Sequence, residues 1–438
     1  MQNNELYTIY RELQNDLKQH RFELKAGVES DEGENAVIKS HISHYLHKNN
    51  ISVEDMTDTA LAEFLYNEYR LYSVLTEPLK YADLEELNIN GWDDIDIRLS
   101  GGRISKGEPF FSAENAHSIV RRMLRESDVV IDDAMPMAEG FMRDNLRITV
   151  VKPPVADADR GVTCSIRKLR PFSFRAEDFL RSGMCTPEML QFLESCLNYG
   201  VSFVVSGGVC TGKTTLLNFL LLTVPDKKRI VTIEQGSREL QLIKRTEEGV
   251  ITNNVVSFLS RPSEKQSQNV TQEMLVAKAL RYNPDIIAVG EMRDTESYAA
   301  QEASLTGHTV VSSVHAGSSR LTHNRIAGLC RKKYPVDYQT ALMQASEAFP
   351  VTVFLHRMED NSRKIMNISE CITSDNGSRH YSTLYEYRVT RNEKTDTGVR
   401  VIGDHTKPNG ISESLAERLR LGGADGQLIE KFSRKDGS

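Results

Sequence analysis

The sequence has no long apolar run. Its longest stretch, Leu216 to Val224, is interrupted by Asn218 and Thr223 and is far short of the roughly 18 to 20 residues that a membrane helix needs. A bilayer-spanning segment is therefore not expected. The opening MQNNELYTIYRELQNDLKQ is polar and charged throughout and lacks the apolar core of a signal peptide, which predicts a cytosolic protein. Positive charge is not in excess: 54 Lys and Arg against 61 Asp and Glu leave a formal balance of −7. No bulk field is then available to hold nucleic acid by counterion release. The six cysteines, Cys164, Cys185, Cys196, Cys210, Cys330 and Cys371, include no pair at C-x-x-C spacing, so neither a zinc ribbon nor a thioredoxin-type site is expected and the thiols read as reduced. Internal repeats and low-complexity tracts are absent as well. What remains, 438 residues with 39% hydrophobic and 26% charged, is ordinary usage for a soluble globular protein of two to three domains.

Helical spacing comes first along the chain. Leu6, Ile9, Leu13 and Leu17 recur on one helical face, as do Leu61, Leu65, Tyr69 and Tyr72, so residues 1–74 predict a helical N-terminal extension. His41, His44 and His47 lie within it, but steps of three at about 100° per residue drift around a helix. They are expected to be a solvated face rather than metal ligands. From Leu84 the pattern changes to short alternating segments in which Asn90-Gly91 and Gly101-Gly102 are hairpin signals. With a helix around AENAHSIVRRMLRES and the strands NLRITVV and VTCSIRKL, residues 75–170 predict a smaller α/β domain, and the polar stretch 171–187 a linker. From Gly200, apolar β-rich runs alternate with helical patterns, the rhythm of a parallel sheet flanked by helices, and residues 188–438 are expected to form this domain. Beyond Phe349 a smaller meander-like addition is expected, followed by one amphipathic helix through Ile411, Leu415, Leu419 and Leu421.

The strongest chemical signal is Gly207-Gly208-Val209-Cys210-Thr211-Gly212-Lys213-Thr214, with Thr215 following. This G-x-x-x-x-G-K-T run lies between an apolar strand and an apolar helix, as a phosphate loop requires. In such a loop backbone N–H groups cradle phosphate oxygens, Lys213 offers a cation to the β- and γ-phosphates, and Thr214 places a hydroxyl on Mg²⁺. Two further strands end in acids, Glu234 after RIVTI and Glu291 after DIIAVG; either could position a water or hold Mg²⁺ through water. The segment from Thr306-Gly307-His308 to Val314-His315-Ala316 frames a third strand with histidines at both ends, and imidazole can donate to a phosphate oxygen.

The ordered set GxxxxGKTT, VTIE, AVGEMRD and TGHTVVSSVHAGS resembles the Walker A, Asp box, Walker B and His box of the secretion ATPase superfamily. Within it, LNINGWDDIDIRL, RITVVKPPV, SIRKL, TPEML and RKIMNISEC resemble the CpaF/TadA-type ATPases of tight-adherence pilus assembly. The resemblance runs from about Leu75 to about Val389. It implies an α/β protein in which a RecA-like P-loop ATPase domain follows a smaller PAS-like α/β N-terminal domain. It further implies a homohexamer with ATP and Mg²⁺ at its seams, cytoplasmic and peripheral at the inner face of the cell membrane. The implied partner is an inner-membrane platform protein of a pilus or secretion system, with no stable nucleic acid. Carried over motif by motif, Arg147 of RITVV and Arg167 of SIRKL resemble the N-terminal-domain arginines that reach the nucleotide, and Arg261 resembles the arginine after the Asp box. Thr214 and Glu291 take the metal positions, and Lys213, Glu234, Glu291, His308 and His315 join the arginines as catalytic residues. Arg293 and Asp294 are expected to pair on the surface.

The sequence departs from that pattern at two positions. Cys210 and Thr211 replace the usual Gly-Ser of the loop, and Cys210 carries a β-carbon that fits only if its φ need not be positive. Gln235 stands where an acid is expected after Glu234, and an amide brings no negative charge toward Mg²⁺. A nucleotide-binding scaffold with weak or no hydrolysis is therefore the alternative to an ATP-driven motor. A RecA-like nucleic-acid motor is disfavoured by the −7 balance.

Overall fold

The computed structural model describes residues 2–20, 31–100, 103–127, 129–142, 145–169, 172–263, 267–374, 378–395 and 398–435. The chain divides into two compact units, Met1–Arg170 and Pro171–Ser438. None of the described helices is long and apolar enough to cross a membrane.

In the first unit, helices α1 (Gln2–Gln19), α2 (Asp31–Lys48) and α3 (Asp58–Arg70) bury the stripes that their periodicity announces. Leu6, Ile9, Leu13 and Leu17 of α1 meet Ile38, Ile42 and Leu46 of α2 and Leu61 and Leu65 of α3 in one apolar cluster. Thr57 caps α3 by accepting from the Ala60 N–H, satisfying one of its orphan donors. A second cluster lies under a six-stranded antiparallel sheet. Its strands are β1 (Leu84–Gly91), β2 (Asp94–Leu99), β3 (Ile104–Lys106), β4 (Met137–Met142), β5 (Leu146–Val151) and β6 (Thr163–Lys168), in the order β3-β2-β1-β6-β5-β4. Helix α4 (Ala113–Arg125) covers it with Ala116, Ile119, Val120, Met123 and Leu124. The β1–β2 hairpin turns two residues later than expected, since Gly91 pairs with Asp94. Gly91 serves a close approach instead: a β-carbon there would lie 2.9 Å from Arg160 Nε. Gly101-Gly102 lies outside the described residues.

The second unit begins with the stretch that reads as a linker, and the structure corrects that reading. Helix α5 (Ala176–Arg181) folds there, and Phe179, Met184 and Cys185 enter the large apolar cluster of this unit, with the Phe179 ring 4.9 Å from that of Phe219. The polar composition hid three buried residues at irregular spacing. Helix α6 (Pro187–Asn198) follows, capped by Thr186 with proline at its first position.

A nine-stranded sheet then carries the unit. Strands β7 (Phe203–Gly207), β8 (Ile230–Glu234), β9 (Val255–Leu259), β10 (Ile286–Met292), β11 (Thr309–Val314) and β12 (Val351–Arg357) are parallel, in the order β12-β7-β11-β10-β8-β9. Every residue of β7, β8 and β11 is buried, as expected for strands covered on both faces. Helices α7 (Lys213–Leu222), α8 (Gln272–Ala279), α9 (Glu296–Leu305), α10 (Ser319–Cys330) and α11 (Tyr338–Ala348) alternate with them. The first strand of the expected C-terminal addition, β12, instead joins the parallel sheet beside β7. Strands β13 (Arg363–Thr373), β14 (Arg379–Thr395) and β15 (Gly398–Thr406) extend it as an antiparallel meander. Two helices close the unit, α12 (Glu413–Leu421) and α13 (Gly426–Ser433), one more than the sequence pattern suggests. The architecture is α/β: a P-loop sheet of RecA type, a smaller α/β domain before it, and helices at the N-terminus.

Candidate nucleotide-binding site

Parallel strands put all their C-terminal ends at one edge of the sheet, and ligands of open α/β sheets gather there. Strand β7 ends at Gly207 and α7 begins at Lys213, so residues 207–212 form the loop between them. A β-carbon at Gly207 would stand 2.4 Å from the Leu355 carbonyl oxygen of β12, so only glycine fits. Cys210 is exposed with φ +58°; the position does demand the left-handed region, and the cysteine occupies it at a cost of about 1 kcal/mol or more. Arg363, at the start of β13, donates from Nε to the Cys210 carbonyl at 3.0 Å and so holds that peptide from outside the loop. Replacing Cys210 by glycine is expected to stabilise the protein by up to about 1 kcal/mol, and replacing it by valine to destabilise it by 1 to 2 kcal/mol. Thermal melts of the two variants check this; a lower Tm for Cys210→Gly than for Cys210→Val would refute the strain.

Lys213 is buried, and its ammonium donates to the Gly208 carbonyl at 2.7 Å and the Gly207 carbonyl at 3.2 Å. Burial pulls its pKa below the usual lysine range, with Glu291 opposing. His315, one residue beyond β11, brings Nδ1 to 3.4 Å from Lys213 Nζ and Nε2 to 3.0 Å from Glu291 Oε1. Its pKa is lowered by burial first and by Lys213 second, against Glu291. A neutral ring accepts from the lysine at Nδ1, while Nε2 lies close to Glu291 Oε1, a buried oxygen with no hydrogen-bond partner among the described residues. The strand order explains the bridge: β11 lies between β7 and β10, so a side chain leaving its end reaches the loop on one side and Glu291 on the other. The second oxygen of Glu291 is held by Arg293. Arg293 therefore pairs with Glu291, while Asp294 pairs with Lys332 at 3.2 Å, which corrects the expected Arg293–Asp294 pair.

Glu234, the last residue of β8, is 4% exposed. Its Oε1 accepts from the Glu239 N–H at 2.7 Å and the Leu240 N–H at 2.9 Å. Oε2 is buried without a hydrogen-bond partner among the described residues. Burial pushes the carboxyl up to about 7, against the pull of those two N–H groups. A group that changes charge at neutral pH, with one oxygen fixed and the other unpartnered, is equipped to take a proton from water. Gln235 is exposed just beyond it.

The other sequence-derived residues separate into three cases. Arg261 follows β9 at the same edge, where the Ser260 N–H donates to the Glu234 carbonyl at 2.9 Å; Arg261 pairs through its backbone with Val270. Arg147 and Arg167 lie in the first unit and are brought together there, directly opposite each other on β5 and β6. Like charges so placed are unfavourable in a sheet, and acids lie beside both: Glu139 of β4 is 3.7 Å from the Arg147 guanidinium and Glu86 of β1 pairs in register with Arg167. His308 does not belong to the site. It precedes β11, at the opposite edge of the sheet, and is on the order of 20 Å along the strand from His315. In the sequence the two ends of that strand look alike, because a repeated residue type carries no direction. No motif ties Arg363 to the loop either, since its place there depends on the β12–β13 hairpin.

Residues 117–397 match the family described as "Type II/IV secretion system protein". Among curated proteins, the chain is 31% identical over 198 residues to "Uncharacterized protein MJ1287" of Methanocaldococcus jannaschii, covering 45% of this chain and 68% of that one. It is 26% identical over 279 residues to "Uncharacterized protein MJ0781" of the same organism, covering 62% of this chain but only 37% of that protein's length. It is 27% identical over 262 residues to "Type IV secretion system protein PtlH" of Bordetella pertussis, covering 55% of this chain and 72% of the relative.

Proposed function

The chain belongs to the type II/IV secretion system protein family, and on that footing we propose that it is an ATP-hydrolysing motor of a pilus or secretion machine. The observation that carries this reading is the convergence of Lys213, His315, Glu291 and Glu234 at the C-terminal edge of one parallel sheet. Steady-state phosphate release from ATP, with and without Mg²⁺, tests it directly.

In this reading the loop 207–212 and the start of α7 cradle the phosphates, and Lys213 exchanges its two carbonyl partners for β- and γ-phosphate oxygens. Glu234 accepts the proton of the attacking water at Oε2. Thr214 and Glu291 would hold Mg²⁺: Glu291, already surrounded by His315 and Arg293, presents a partly exposed carboxylate of the right chemistry. The ion, when bound, neutralises charge on the β- and γ-phosphates. His315 couples the two, because any movement of Lys213 toward phosphate changes the group its Nδ1 faces. Cys210 and Gln235 favour a second reading, a nucleotide-binding scaffold with slow hydrolysis, and burst against steady-state phosphate release separates the two.

The finer expectations belong to the same proposal: a homohexamer, cytoplasmic and peripheral at the membrane through a platform protein, closest to the tight-adherence pilus type. Arg147, Arg167 and Arg261 would stabilise the charge that builds on the γ-phosphoryl, the first two from a neighbouring subunit. Arg167→Ala should then fold and bind nucleotide but fail to hydrolyse it. Mixing Arg167→Ala with Lys213→Ala subunits should restore part of the activity, since a seam joining one intact arginine to one intact loop is complete. Rings shown by mass to be mixed, yet no more active than either mutant alone, would count against action in trans.

A further inference from the structure

We infer that Asp16, His20 and His41 form a binding site for a divalent transition-metal ion, with zinc the best chemical fit, that links helices α1 and α2. The three side chains each offer a ligand atom within 4.8 Å of the other two. Asp16 lies in the last turn of α1 and His20 is the residue just beyond its end, four positions on, with its N–H donating to the Asp16 carbonyl at 3.1 Å. His41 reaches them from α2, with its Nε2 2.6 Å from Asp16 Oδ2, and the two imidazole rings lie 5.4 Å apart. Sequence spacing alone argues against a metal here, because His41, His44 and His47 do not share a face. The structure sets His41 instead beside Asp16 of α1 and His20 just after it.

Three features suit a metal rather than a chance cluster. Asp16 and His41 stand on helices anchored by fully buried neighbours, Leu13 and Leu17 on α1 and Ile42 on α2, so two of the three ligands sit on rigid elements. The side chains are 26%, 40% and 20% exposed for Asp16, His20 and His41, which leaves an entry path and room for water as a fourth ligand. Two imidazoles and one carboxylate are also a borderline donor set of the kind zinc takes in four-coordinate sites. Ligand atoms around such an ion, each about 2 Å from it, lie roughly 3.3 Å apart. On binding, the 2.6 Å pair would open, and His20 would either give up the contact of Nδ1 with the Asp16 backbone carbonyl at 2.9 Å or ligate through Nε2. The ion would take the place of the proton that Asp16 and His41 now share. Cross-linking α1 to α2 would hold the helical part of the first unit together and stabilise it in proportion to ion occupancy.

The test uses the full chain without nucleotide, titrated with Co²⁺ as a spectroscopic probe and then with Zn²⁺ in competition. One equivalent of Co²⁺ should give the strong visible bands of a four-coordinate ion, which Zn²⁺ abolishes. Asp16→Asn, nearly isosteric and so kept folded, and His41→Gln should each weaken Zn²⁺ binding at least about tenfold. His47→Gln, on the same helix, should leave it unchanged. Absence of the bands would overturn the site, as would equal loss in His47→Gln, which would mean scavenging by surface histidines. Zn²⁺ should also raise the Tm of the wild type but not of Asp16→Asn. A rise of the same size in both would overturn the site too.

Discussion

Replacing Lys213 by alanine should lower ATP turnover by about two to three orders of magnitude, the effect of removing a single charge-stabilising donor from a dry, preorganised site. Lys213 is the cation of the loop itself, buried and held over its carbonyls, and no flexible surface lysine could take over its position. The fold should be untouched, because the lysine's hydrogen bonds are to loop carbonyls that water can reach once the side chain is gone. Circular dichroism unchanged and phosphate release lost is the expected pair of results. Turnover comparable to wild type would remove the loop from the mechanism and with it the motor reading.

Glu234→Gln should lower the hydrolysis rate by about 10² to 10⁴, the range of positioned general bases, while leaving ATP affinity nearly intact. The amide keeps an oxygen for the Glu239 and Leu240 N–H groups but cannot take a proton. If Glu291→Gln trapped ATP while Glu234→Gln turned over normally, the two acids would have exchanged roles. Because the Glu234 carboxyl titrates at about 7, hydrolysis by the wild type should rise with pH through neutrality. Its stability should move the other way. A carboxyl whose pKa is raised on folding, from 4.5 to about 7, contributes fully below pH 4.5, and that contribution is lost as pH rises through 7. The difference is roughly 3 kcal/mol. Denaturant titrations of the nucleotide-free protein should show the wild type losing that much relative to Glu234→Gln between the two limits. Parallel stability curves for the two proteins would mean that Glu234 ionises freely, and the case for it as the base would fall.

Arg363 shows how far the motifs alone carry the site. Its segment, RKIMNISEC, is legible as a strand and as part of a family pattern. Its contact with the Cys210 carbonyl, however, joins positions 153 residues apart, and no local period encodes that. His308 and His315 make the complementary case. They are alike in type and frame the same strand, yet only the one at the C-terminal end reaches the loop, because parallel strands all point the same way.

By itself, the sequence determined whatever depends on near neighbours along the chain. Glycine spacing before Lys213 dictates a phosphate loop, since only residues without a β-carbon fit at Gly207. Continuous apolar runs dictate buried parallel strands, and the stripe Leu6, Ile9, Leu13, Leu17 dictates the face that α1 buries. The tertiary structure alone decided which of these ends meet. Placing β11 between β7 and β10 set His315 between Lys213 and Glu291. Folding the chain after β8 back over its end buried Glu234, and that burial raises its pKa to about 7 against the pull of the Glu239 and Leu240 N–H groups. Packing α2 against α1 turned a histidine expected to face solvent toward Asp16 and His20. Each of these pairings is a matter of strand order or helix contact, fixed by burial of apolar surface across the whole unit, and burial of that kind carries no signature at the residues whose chemistry it sets.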